Sequence, residues 1–302
     1  MKLAVTTAFT PTSTEKELLS SRHELCFVDD GKPLKDQSLD FDLATVEGII
    51  CNFFFTHNDL SVFPNLRVIQ TTSAGLDRIP LEEAKEKGIS VFNAGDTYAV
   101  PMAEWAVAKT LEIVKCSEFF RKNQAEHIWE KKRDIKELYG MTAAIIGFGN
   151  VGRAVAERFK AFGVKIRAVD LANAKSPLAD KFFEVSDLKN AVGNADIIVL
   201  CLPLTPETQK IIDADVLKTV KDDAILINVA RGGLVDEKAL ISELQKGRFS
   251  GIALDVFENE PLDEKSPLWD FPNVLVSPHN SFIGNGNHDR LFRIICKNLD
   301  NL

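Results

Sequence analysis

Short apolar runs separated by polar, helix-patterned stretches recur along the whole chain, and that rhythm dictates the first structural expectation. In the first part the runs are "KLAVTT" (2–7), "ELCFVD" (24–29), "GIICNF" (48–53), "LRVIQTT" (66–72) and "ISVF" (89–92). Most are rich in β-branched or aromatic residues, the composition of buried strands. The stretches between them carry helix punctuation. In "PLEEAKEKGIS", Pro80 suits a first helical turn, acids follow it and Gly88 ends it. Strands separated by helices imply crossovers and a parallel sheet, so residues 1–96 are expected to form a doubly wound, flavodoxin-like α/β domain.

"VPMAEWAVAKTLEIVK" (100–115) is a long helical stretch with apolar positions over much of its circumference, which suits burial between domains or against another subunit. After a polar segment containing Trp129, the alternation resumes with runs at 142–148, 164–170, 195–202, 223–230, 250–257 and 273–278. Six strands are the count of a dinucleotide-binding sheet, so residues 97–282 are expected to form a second doubly wound domain. In the closing segment, 283–302, Leu291, Phe292, Ile294, Ile295 and Leu299 suit a helix docking back on the first domain. Ligands of open α/β sheets sit beyond the carboxyl ends of the strands, so two such domains would face each other across a cleft.

Charge and composition narrow the partners. Lys and Arg total 36 against 44 Asp and Glu, and the resulting net charge of −8 argues against nucleic acid, which needs a basic face. No apolar run approaches the ~18 residues that span a bilayer, and the N-terminus turns polar too soon for a signal peptide. Five scattered cysteines, none in a C-x-x-C pair, read as reduced thiols. A cytoplasmic protein with no membrane partner is the expectation.

The chemistry begins at "GFGNVG" (147–152), a G-x-G-x-x-G between a strand and a helix. Gly147 permits the tight turn, Gly149 lets the backbone approach phosphate, and Gly152 lets helix and strand pack closely. Asn150 and Val151 open the helix, whose N-terminus favours an anion. Asp170 ends the next strand, 18 residues after Gly152, where a carboxylate accepts ribose hydroxyls and repels a 2′-phosphate. With no Arg following and only Lys175 near, NAD is the expected cofactor of a Rossmann domain. Three later strands end in polar residues: Arg231 in "INVARGG", Asp255, Glu258 and Glu260 in "IALDVFENEP", and His279 in "VLVSPHNS". Singly, each reads as well as a surface or turn residue, with Glu258 expected to face solvent. No histidine has metal-ligand spacing, so no metal is expected.

Taken in order, "IIGFGNVGR", "LCLPLTPETQKII", "INVARGGLVDEKAL", "GIALDVFENEPL" and "NVLVSPHNS" resemble successive signatures of the D-isomer-specific 2-hydroxyacid dehydrogenase family, over about residues 66–282. "TTSAGLDRIP" is similar to that family's substrate loop. The resemblance implies hydride transfer between NADH and a 2-keto acid to give a D-2-hydroxy acid, and a homodimer. It implies Arg231, Glu260 and His279 as the catalytic set, and the backbone of Ser73, Ala74 and Gly75 as the seat of the substrate carboxylate. Asp255 would lie near the nicotinamide amide, with Pro203 and Ala230 among the other cofactor contacts. The chemistry agrees: histidine transfers protons near neutrality, a carboxylate beside it orients the ring, and a guanidinium forks onto carboxylate and carbonyl.

One stretch departs from the family. Members often show an Arg-containing strand end where this chain has "CNFFFTHND" (51–59), with Phe53, Phe54, Phe55 and His57 and no cation. At least two phenylalanines are expected in the core, with Phe54 lining an apolar substrate pocket that disfavours phosphorylated or dicarboxylate acids. The alternative function is a dinucleotide-sensing, corepressor-like binding protein on the same fold. Formate oxidation is disfavoured because that branch resembles a His–Gln pairing, whereas Glu260 stands here.

Overall fold

The apolar runs of the first part pair as an all-parallel five-stranded sheet in the computed structural model, which describes residues 1–170 and 176–301. Lys175, weighed above beside Asp170, lies outside the described residues. The chain divides into two units, Met1–Tyr98 with the segment from Gly284 on, and Ala99–Ile283.

In the first unit β1 (Lys2–Thr6), β2 (Glu24–Val28), β3 (Gly48–Cys51), β4 (Val68–Thr71) and β5 (Ser90–Phe92) lie in the order β2-β1-β3-β4-β5. This is the flavodoxin-like order. β3 and β4 are buried at every position, as parallel strands covered on both faces must be. A capping box formed by Thr12 and Glu15 starts α1 (Ser13–Ser20), and α2 (Leu81–Glu86) precedes β5. The connections after β2 and β3 contain only three-residue 3₁₀ turns instead of α-helices, in stretches broken by Gly31, Pro33 and Pro64.

The second unit opens with α3 (Ala99–Val114) and α4 (Ser117–Ala125). It continues with β6 (Thr142–Ile146), α5 (Asn150–Ala161), β7 (Lys165–Asp170), β8 (Lys181–Glu184), α6 (Leu188–Val192), β9 (Ile197–Leu200), α7 (Ala214–Thr219), β10 (Ile225–Asn228), α8 (Glu237–Gln245), β11 (Gly251–Leu254) and β12 (Val274–Val276). The parallel sheet runs β12-β11-β10-β9-β6-β7-β8, with the strand-order reversal of a Rossmann fold beside β6. The seventh strand, β8, escapes the sequence pattern because "KFFE" is a short edge strand with a single buried residue. The long α3 is covered by α5 and β10 of its own unit, burying Ala103, Ala106, Val107, Thr110 and Val114. No helix among the described residues is long and apolar enough to cross a membrane.

The helix α9 (Asn287–Leu299) belongs to the first unit. Its Leu291, Ile295 and Leu299 join Leu3, Val5, Phe9, Ile50 and Val68 in one core cluster. Asn298 donates from Nδ2 to Gln70 Oε1 at 2.8 Å, satisfying a buried amide of β4.

In the second unit the side chain of Glu243 is only 8% exposed, and it accepts from Lys246 at 2.6 Å and Arg248 at 2.5 Å. These bonds, Lys246 first and then Arg248, hold the Glu243 carboxyl below its ordinary range. A depressed folded value contributes stability above the unfolded carboxylate value of about 4.3, and that contribution is lost as pH falls through the folded value. Glu243→Gln is expected to cost about 1–2 kcal/mol in urea unfolding near pH 7. The gap from wild type should narrow below about pH 4. An equal gap at both pH values rejects the ion pair as its source.

Candidate functional site

β6 runs into the glycine loop and α5 leaves it, so the loop's geometry follows from two packing demands. Gly147 sits at φ +93°, and a Cβ there would lie 2.5 Å from the backbone nitrogen of Leu202, so only glycine fits against the exit of β9. A Cβ on Gly152 would lie 2.0 Å from the carbonyl oxygen of Gly147, which presses the start of α5 onto the loop. Gly149 is different: a Cβ there would meet nothing within 4 Å. It caps α5 without a side chain, so the first turn, opened by exposed Asn150 and half-buried Val151, offers backbone N–H groups toward open space. A pyrophosphate fits such a cradle. Asp170, last in β7 and half-buried, accepts the N–H of Phe148 at 2.7 Å, which sets its carboxylate beside the loop. Exposed Pro203 follows Leu202, and its carbonyl is held by Thr208 Oγ1 at 2.8 Å; Ala230 is buried beyond the end of β10.

The next three strand ends carry the polar set. Beyond β10, buried Asn228 receives the N–H of Ala230 and donates to the carbonyl of Arg231, both at 3.0 Å, so it clamps the turn that presents the guanidinium. Arg231 Nη1 donates to the carbonyl of Ala230 at 2.8 Å. A Cβ on Gly232 would lie 1.8 Å from the carbonyl carbon of Phe257, so the Arg231 turn rests directly on the loop beyond β11. In that loop Glu260 uses Oε1 to accept the N–H of Phe257 at 3.1 Å and Oε2 to reach His279 Nδ1 at 2.8 Å. An ionised carboxylate only accepts, so Nδ1 carries the proton of this pair.

His279 sits at φ +51°, an unusual conformation for a residue with a side chain. Asp255 enforces it. Expected near a nicotinamide amide, Asp255 is instead fully buried, and its carboxylate accepts from Ser277 Oγ and from the N–H groups of Asn280 at 2.7 Å and Ser281 at 2.9 Å. Its carbonyl also accepts the N–H of His279 at 2.7 Å. Glu258, expected in solvent, is likewise structural: it pairs with Lys210 at 3.3 Å and accepts the N–H of Glu237 at 3.3 Å.

In the first unit the carbonyls of Ser73, Ala74 and Gly75 are all tied back. They accept from Thr71 Oγ1 at 2.7 Å, Asn93 Nδ2 at 2.9 Å and Ser73 Oγ at 2.7 Å respectively. Their N–H groups find no acceptor among the described residues. Phe54 requires a correction. It is fully buried, stacked on Phe63 at 5.5 Å and met edge-on by Phe55 at 5.1 Å, so it belongs to the core and lines no pocket. The turn after β3 swings Phe53 outward instead, where it is 44% exposed. Asn228 and Ser277 escaped sequence reasoning, although a polar residue ending the apolar run "ILIN" is itself a signal.

Two of the thiols, Cys26 and Cys51, are far from activated. Burial pushes Cys26 up to about 11 and Cys51 well above its ordinary value, the opposite of an activated nucleophile. No cluster of metal-ligating side chains occurs among the described residues. The glycines give a sharp test. Gly149→Ala should leave thermal stability nearly unchanged while weakening NADH binding about tenfold or more, since its methyl enters the phosphate cradle. Gly147→Ala should cost about 2 kcal/mol or more of stability, from strain and backbone overlap. Calorimetry with NADH titration separates them, and matching effects at the two positions would refute the cradle.

Residues 107–281 match the family described as D-isomer specific 2-hydroxyacid dehydrogenase, NAD binding domain. Hydroxypyruvate reductase of Thermotoga maritima is 41% identical over 218 residues, covering 71% of this chain and 70% of that one. Glyoxylate reductase of Thermococcus kodakarensis is 34% identical over 251 residues, covering 78% and 73% respectively. Among solved structures, a D-lactate dehydrogenase from Aquifex aeolicus complexed with NAD and lactic acid gives a TM-score of 0.79 at 26% identity, over 99% of this chain and 94% of that one. With the family match spanning more than half its length, this chain belongs to the D-isomer-specific 2-hydroxyacid dehydrogenases, a family of NAD-dependent oxidoreductases.

Proposed function

We propose that the protein reduces a short 2-keto acid to the D-2-hydroxy acid, with His279 as proton donor, Glu260 as its partner and Arg231 as substrate anchor. The observation that carries these roles is the 2.8 Å contact between His279 Nδ1 and Glu260 Oε2, made by two loops at the carboxyl ends of neighbouring strands. Bound reduced nicotinamide supplies the hydride. With Nδ1 committed to Glu260, Nε2 hands its proton to the carbonyl oxygen as that oxygen gains charge, and Glu260 balances the ring's charge during the exchange. Arg231 forks onto the carboxylate and carbonyl oxygen, and the N–H groups of Ser73, Ala74 and Gly75 donate to the carboxylate. Gly147, Gly149, Asn150, Val151 and Gly152 would cradle the pyrophosphate, flanked by Pro203 and Ala230, while Asp170 takes the ribose hydroxyls and favours NAD. Asp255 acts through the histidine turn as a positioning residue. The named relatives point to acids of the size of glyoxylate and hydroxypyruvate.

Arg231→Ala is expected to lower kcat/KM on such acids by about a thousandfold while changing the Kd for NADH by less than about threefold. Steady-state rates and NADH fluorescence titration check both. Turnover within about tenfold of wild type removes Arg231 from the mechanism. A wild-type protein that binds NADH yet reduces no 2-keto acid favours the sensor reading.

We also propose a homodimer, formed through the segment that follows α4. Trp129 there is 98% exposed, and with Ile128 and Phe120 it borders a surface cavity of about 800 Å³. An exposed apolar cluster of this kind suits a self-complementary contact. The apolar face of α3 is covered within its own unit, which moves the interface from that helix to this segment. Trp129→Glu should convert the dimer to monomer in sedimentation at micromolar concentration; a variant that sediments as wild type rejects the surface. Five free cysteines suit a reducing cytoplasm.

A further inference from the structure

We propose that Arg78 reads the far end of the substrate and selects 2-keto acids whose tail carries an anion. The inference rests on the keto-acid reading of the site, and it starts from the strand end that lacks a cation of its own. The structure brings one there. Arg78 Nη1 donates to Asn52 Oδ1 at 3.0 Å, and the guanidinium carbon lies 4.0 Å from the centre of the Phe53 ring.

The platform beneath it is built. Asp30, 5% exposed, accepts the N–H of Asn52 at 2.9 Å, the N–H of Phe53 at 2.6 Å and the hydroxyl of Thr6 at 2.8 Å. The residues that hold Arg78 are thus pinned to the sheet by a buried carboxylate. A guanidinium lying on an aromatic face directs its donors outward around its own plane, where a carboxylate or phosphate accepts two at once. Phe53 and Arg78 are both exposed, so a ligand reaches them.

The sequence position supplies the length. Arg78 follows Gly75, the last of the anion-seat residues, by three positions, a separation of at most about 10 Å along the chain. One loop therefore offers N–H groups for the carboxylate beside the carbonyl and a guanidinium for a second anion a few bonds away. This reverses the apolar preference that the phenylalanine run alone suggests. Because the charge comes from a residue 26 positions beyond Asn52, no inspection of the strand end reveals it.

The test compares oxaloacetate with 2-oxobutyrate, its counterpart with a methyl in place of the far carboxylate. Wild type should show the higher kcat/KM on oxaloacetate. Arg78→Ala should lower the ratio of the two kcat/KM values about tenfold or more, with Arg78→Lys in between, because a charged hydrogen-bonded pair discriminates on this scale. A ratio within about twofold of wild type in Arg78→Ala, or a wild-type preference for 2-oxobutyrate, overturns the assignment while leaving the keto-acid reading intact. Reduction of glyoxylate but of neither of these acids by wild type overturns this inference alone, whereas reduction of none of the three, with NADH still bound, overturns that reading and this inference together.

Discussion

The buried carboxylate of Asp255 holds the turn that carries His279, and the candidate site depends on that anchoring. A histidine at φ +51° is strained by roughly 1–2 kcal/mol relative to ordinary backbone, so neighbours must over-determine it. Asp255 does so by taking two consecutive N–H groups and a hydroxyl from the turn, and the N–H of His279 itself through its carbonyl. Only then does the ring meet Glu260, whose second oxygen is tied to Phe257 N–H in its own loop. Two loops that would otherwise wander at a sheet edge become a single object.

The same device recurs at three other strand ends. Parallel strands leave unpaired N–H groups in the loops at their carboxyl ends, and a buried loop cannot leave them unsatisfied. Asp170 takes the N–H of Phe148 from the loop beyond the neighbouring strand, and Asn228 takes that of Ala230. In the first unit Asp30 takes those of Asn52 and Phe53. Each acceptor lies at or just past a strand end, where it fixes a loop by satisfying backbone groups. Positioning and stability thus share one cause.

The difference between Phe53 and Phe54 shows how little separates core from surface at such an edge. Both follow a fully buried strand, and both are the same residue type. The 3₁₀ turn sends Phe54 against Phe63 and Phe55, leaving Phe53 as a platform for Arg78. A period-two strand reading carried past Cys51 cannot resolve this, because the backbone has ceased to be a strand there.

By itself the sequence determined the class of fold, five strands of the first sheet and six of the seven in the second, and the glycine loop between β6 and α5. Those features are written in local periodicity and in glycines whose steric demands are met within a few residues or by an adjacent strand. It missed β8, whose polar edge residues carry no buried stripe, and it misjudged Phe54, Asp255 and Glu258. Tertiary structure alone decided those, together with Arg78 on Phe53 and the turn at His279. Their partners lie about 20 or more positions away along the chain or depend on how a turn points, and hydrogen bonds and ring contacts are chosen by distance in space, which periodicity does not encode.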